Sequence, residues 1–151
     1  MPSVTYEEVN LMLRLYELRR EARLRQARAW YVENFHTNSL EDMAQKYPQG
    51  SEENTYIRMV LSYWEMVASI FNRGLIHEEL FFENNGEIWV VWDRVRNIVP
   101  AWRAAFKNPT VFVNIEEVCK KLEAWREKRA PGSAAAMRQM MEQMRLAAKK
   151  S

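Results

Sequence analysis

Little in this sequence can bend the chain sharply or cross-link it. Of its 151 residues four are glycine, five are proline and one is cysteine. An all-β fold with many tight turns needs more glycine than that. A single cysteine, Cys119, cannot close an internal disulfide and points to a reducing compartment. No charge sign dominates either, since 22 Lys and Arg face 20 Asp and Glu for a net charge of +2. The pI near 8.7 is far from the footprint of a dedicated nucleic-acid binder. The longest apolar stretch, Met59 to Phe71, is 13 residues interrupted by Glu65, against about 20 for a membrane span. The start, Met1-Pro2-Ser3-Val4-Thr5-Tyr6-Glu7-Glu8, is acidic and lacks the layout of a signal peptide. A soluble, cytoplasmic chain is expected.

What is abundant is apolar and aromatic. Hydrophobic residues make up 48%, with six each of Trp, Tyr and Phe, enough to offset the ordering entropy that keeps polar chains disordered. Helix-start signals recur at Thr5 with Glu8, Ser39 with Asp42 and Asn114 with Glu117, and further N-cap candidates stand at Ser51 and Ser133. The four glycines, Gly50, Gly74, Gly86 and Gly132, mark stops. These marks predict an all-α helical bundle of about four long helices, 6–35, 52–73, 87–107 and 115–129, the third kinked at Pro100. Short connecting helices are expected over 40–47 and 77–83, and a last amphipathic helix follows the Ala130-Pro131-Gly132-Ser133 break. Residues 1–130 read as the bundle domain and 131–151 as a Met-rich appendage. The 3.6-residue period places Ile57, Val60, Leu61, Trp64, Val67, Ala68 and Phe71 in the core, with Ile88, Val91, Trp92, Val95, Val99, Trp102 and Phe106 opposite.

Catalytic machinery is not assembled. A carboxylate-bridged di-metal bundle needs two Glu-x-x-His motifs, and the chain has one, Glu33-Asn34-Phe35-His36. His77-Glu78-Glu79 offers neighbours that diverge by about 100° on a helix. Cys119 precedes two lysines able to lower its pKa, but mid-helix it reads better as a small buried hydrophobe. No cofactor and no metal are expected. A polar stripe of Arg58, Ser62, Glu65, Ser69 and Asn72 runs along the third helix. A buried Glu65 would need a cation, and Arg103 is the candidate. With Trp92 these two make a candidate site for a small molecule or a metal, the second reading of the chain.

Two apolar strips remain. On the first helix Val9, Met12, Leu13, Tyr16, Ala27, Trp30 and Tyr31 make the expected core face, while Leu11, Leu15, Leu18 and Ala22 form a second strip at heptad-like spacing. On the last helix Met137, Met140, Met141, Met144 and Ala148 share a face, and methionine suits adaptable contacts. These strips favour an association module that binds itself, as a dimer, or another protein. A ligand-binding bundle ranks second. Nucleic-acid binding through the six arginines of the first helix ranks last, because acids nearly cancel them. A membrane-surface role is weaker still than partner binding.

The stretch Tyr63-Trp64-Glu65-Met66-Val67-Ala68, then Arg73-Gly74-Leu75-Ile76, Glu78-Glu79-Leu80-Phe81, Trp92, Pro100 and Arg103, resembles an uncharacterised family of bacterial all-helical domains. The likeness spans about half the chain, roughly residues 55–106. It implies an all-helical domain of bacterial origin, with Glu65 and Arg103 as positions to test. Relatives in that family often carry a membrane helix before the domain, and none is expected in this chain.

Overall fold

The computed structural model describes residues 3–149, so that Met1, Pro2, Lys150 and Ser151, and also the side chains of Ala148 and Lys149, lie outside the described residues. Among them the chain forms nine α-helices and no strand. They are α1 (Tyr6–Arg19), α2 (Ala22–Asn34), α3 (Leu40–Lys46), α4 (Glu52–Asn72) and α5 (Glu78–Asn84), then α6 (Glu87–Val95), α7 (Val99–Phe106), α8 (Val113–Arg129) and α9 (Ser133–Lys149). The class is all-α, as the punctuation of the sequence predicts.

α4 is the axis of the bundle and packs against α2, α6 and α8, while α8 also packs against α6 and α9. Its expected stripe is the core: Ile57, Val60, Leu61, Trp64, Val67 and Ala68 are almost wholly removed from solvent. Burying each large member of that stripe is worth about 1.5–3 kcal/mol. Aromatic side chains close both ends. Trp30, Tyr31, Phe35 and Tyr47 cluster at one, and Phe71, Phe81, Phe82 and Trp125 at the other. Phe106 departs from its expected core position and stands 65% exposed at the end of α7.

The expected 6–35 helix is two helices, broken at Arg20 and Glu21 without glycine or proline. Side chains replace the two hydrogen bonds that a continuous helix would make there. The amides of Arg23 and Leu24 donate to the Glu21 carboxylate at 3.0 and 2.9 Å. The carbonyls of Arg19 and Arg20 accept from Arg28 and Arg25 at 2.9 and 3.2 Å. The same two amides hold the Glu21 carboxyl below its ordinary value. The cap is therefore complete above the ordinary carboxylate range and is lost as pH falls through the depressed value.

The expected kink at Pro100 is also a full break. α6 ends at Val95, and Pro100 occupies the first turn of α7, where a missing N–H leaves no bond unmade. α8 begins at Val113, two residues before the expected start, behind a left-handed Phe112 with φ of 55°.

Gly74 has φ of +80°, the left-handed conformation that a Cβ disfavours. Gly86 is different: it is not in that region, and a Cβ there would meet the Arg126 guanidinium at 3.0 Å. Gly74→Ala is expected to cost about 1–2 kcal/mol in urea unfolding. Gly86→Ala should cost less than half as much, because only the flexible end of Arg126 must move. Equal costs at the two positions would refute this distinction.

Candidate functional site

The two faces of α1 are exchanged relative to expectation. Leu15 is buried and Leu11 packs against the core, so that part of the Leu11–Ala22 strip is interior. Leu18 and Ala22, at its far end, are exposed. Polar anchors decide the rotation. The Tyr63 hydroxyl donates to the Leu15 carbonyl, and Arg19 donates to Asn85 Oδ1 at 2.9 Å. The Arg19 guanidinium also lies 5.4 Å from the Trp64 ring centroid. Burial in this seam pushes the Tyr63 hydroxyl up to about 12. Tyr63, Trp64 and Asn85 are distant in sequence, so no period within α1 reports them.

The other face consequently looks outward. Tyr6 is 87% exposed, Leu13 48% and Tyr16 45%, with Val9 half-buried between them. These four are spaced 3, 4 and 3 residues apart and form one continuous strip. Its ends carry opposite charge: Glu7 and Glu8 in the first turn, Arg19 in the last and Arg20 at the C-cap. Arg20 leans over the Tyr16 ring, 5.5 Å from its centroid.

Glu65 and Arg103 do not pair with one another. The Glu65 carboxylate accepts from the backbone amides of Asn114 and Ile115 at 3.4 and 2.9 Å, and from Asn114 Nδ2 at 2.9 Å. It therefore caps α8 from α4, in place of the expected Asn114–Glu117 box. The positive end of the α8 dipole supplies the counter-charge that an arginine was expected to give. Arg103 instead donates to the Val111 carbonyl at 2.9 Å and pairs with Glu116 at 3.3 Å. Trp92 is buried in the core. The first two of these residues thus hold the α7–α8 corner to α4.

The last helix folds back beside α6 and α8 and not onto the Leu11–Ala22 strip. Arg138 pairs with Asp93 at 3.0 Å and with Glu123, and the Trp89 indole donates to Glu123 at 2.7 Å. Ser133 is not its cap. The Glu127 carboxylate accepts from the amides of Gly132 and Ala134 at 2.9 and 3.3 Å, which hold its carboxyl below the ordinary value. Met137, Met140, Met141 and Met144 face Val32, Val90 and Arg94 across a cleft of about 460 Å³.

The remaining chemistry is structural. Cys119 is buried with its thiol against the Ile88 carbonyl, and burial pushes that thiol well up despite the lysines that follow. His77 Nδ1 accepts from the Leu80 amide at 3.4 Å and caps α5. Among the described residues no group of three or more His, Cys, Asp or Glu could hold a metal ion. No helix among them is long and apolar enough to cross a membrane.

A family model described as a domain of unknown function, DUF4760, matches residues 4–122. No curated protein and no solved structure matches the chain. The matched region holds α1 to α7 and the first half of α8, including every segment on which the family resemblance rests.

Two measurements check these assignments. Glu65→Ala should lower the unfolding free energy by about 1–2 kcal/mol, and Glu65→Gln by less, since a neutral acceptor keeps part of the cap. An unchanged urea midpoint for Glu65→Ala would show that α8 starts without it. Cys119 should resist a thiol-specific reagent in the native protein and react fully in denaturant. Rapid native labelling would refute the burial.

Proposed function

The chain belongs to the family of the domain of unknown function DUF4760, and from that premise we propose that it is a non-enzymatic association module that pairs with a second copy of itself. The observation that carries this reading is the outward strip Tyr6–Val9–Leu13–Tyr16 with its oppositely charged ends. Exposed apolar strips bounded by charge mark contact surfaces. In an antiparallel pair centred on Leu13, Tyr6 of one copy would lie against Arg20 of the other, and Val9 against Glu17 beside Tyr16. The acidic first turn of each α1 would then meet Arg20, at the C-cap of its mate. Apolar burial would supply most of the binding energy, and the charges would fix orientation.

The sign pattern favours a like partner over an unrelated one, because a single helix already carries both halves of the complementarity. The arginines of α1 and α2 are less suited to nucleic acid. Arg28 pairs with Glu87 at 2.7 Å, Arg23 with Glu52 at 3.2 Å, and Arg19 is spent inside the bundle. A cytoplasmic setting suits a lone buried thiol.

Sedimentation of the intact chain tests the reading. The wild type is expected to shift from monomer toward dimer at high micromolar concentration. Leu13→Glu with Tyr16→Glu should stay monomeric with unchanged helicity. Leu15→Glu should instead lose helical structure, because that side chain is in the core. A wild type that remains monomeric throughout would refute self-association through α1.

A further inference from the structure

The cleft under α9 has the size, lining and charge of a ligand site. We propose that it binds an aliphatic carboxylate, with the acyl chain among the methionines of α9 and the carboxylate on Arg94. The volume of about 460 Å³ lies within the usual range of small-molecule pockets. At roughly 30 Å³ for each water-sized group it accommodates a chain of about ten to fifteen carbons. Met137, Met140, Met141 and Met144 form one wall, with Val32 and Val90 opposite. Unbranched thioethers adapt to a flexible chain without a fixed shape of their own.

The head-group end is set by Arg94. Its Nη2 donates to the Val32 carbonyl at 3.0 Å, which orients the guanidinium at the cleft. Its Nε is buried and has no hydrogen-bond partner. A buried unpaired N–H is costly. The guanidinium lines the cleft, where the Nη end of its planar fork can meet a carboxylate. The other charges on the cleft do not cancel this one. Arg145 is paired with Glu142, and Glu33 lies on the exposed side of α2, where solvent screens it.

Cleft geometry favours a single chain over a docked helix. A helix is about 10 Å across and would have to displace α9, which Arg138 and Glu127 hold in place. An acyl chain enters with α9 seated. The Val32, Val90 and Arg94 wall lies inside the family-matched region, and the methionine wall lies beyond it. α9 thereby roofs a surface built by α2 and α6.

Calorimetric titration of the full chain with dodecanoate tests the site, with dodecyltrimethylammonium as the charge-reversed probe. One dodecanoate per chain is expected, bound tenfold or more tighter than the cation, as one charge-assisted contact provides. Arg94→Met should bring the two probes to equal affinity. Met144→Glu alters an exposed side chain, 64% accessible, and should weaken dodecanoate tenfold or more with the fold intact. It decides the matter if Arg94→Met fails to fold. No saturable binding, equal affinity of the wild type for both probes, or an unchanged Met144→Glu would each overturn the site. The Leu13→Glu, Tyr16→Glu chain should bind dodecanoate normally, so failure here and failure of the self-association reading are separate results.

Discussion

One carboxylate ties the architecture together. Glu65 sits near the middle of the central helix, α4, and ends on the backbone amides that open α8. A helix start leaves amides with no partner inside the helix, and here the partner comes from 49 residues earlier in the chain. The bond fixes where α8 begins and how it sits on α4. It also stabilises the corner before it, where Phe112 adopts a left-handed conformation and packs on Trp102, 5.3 Å between ring centroids. Everything that α8 carries, including its contacts with α6 and α9, inherits its position from that anchor.

A second seam does for the first third of the chain what Glu65 does for the last. Glu87 accepts from Arg28 at 2.7 Å and from the Trp64 indole at 3.2 Å, while Arg28 also holds the Arg19 carbonyl. A part-buried ion pair is weak evidence of net stability, because desolvation offsets much of the attraction. Its effect is geometric. It sets the angle at which α1 leaves α2 and so determines which residues of α1 reach solvent.

Sequence reading recovered what depends on local period and punctuation. The α4 stripe is regular because one helix buries one face over 21 residues, and the caps at Thr5, Ser39 and Ser51 act within three residues of themselves. What it missed was decided at long range. The α1–α2 break has no glycine or proline because Glu21, Arg25 and Arg28 replace the missing backbone bonds. The faces of α1 were exchanged because both strips are apolar, and only Tyr63, Trp64 and Asn85, far along the chain, distinguish them. Glu65 was singled out for the right property, a carboxylate that needs a positive partner. That partner was a helix end, which no residue type announces. The cleft was half legible: the methionine face is visible in α9, whereas its opposite wall comes from α2 and α6.

The hold on α9 differs in kind from the hold on α4. Its junction rests on Arg138 between Asp93 and Glu123 and on the Glu127 carboxylate over two amides, with Ala134 as its one buried residue among the described side chains. Such partly exposed pairs weaken as the Debye length contracts from about 10 Å at 0.1 M salt to about 3 Å at 1 M. Apolar burial in α4 has no such dependence and is strengthened by some salts. Ionic strength therefore acts on this molecule as a selective lever, loosening the C-terminal roof while the domain beneath it stays closed.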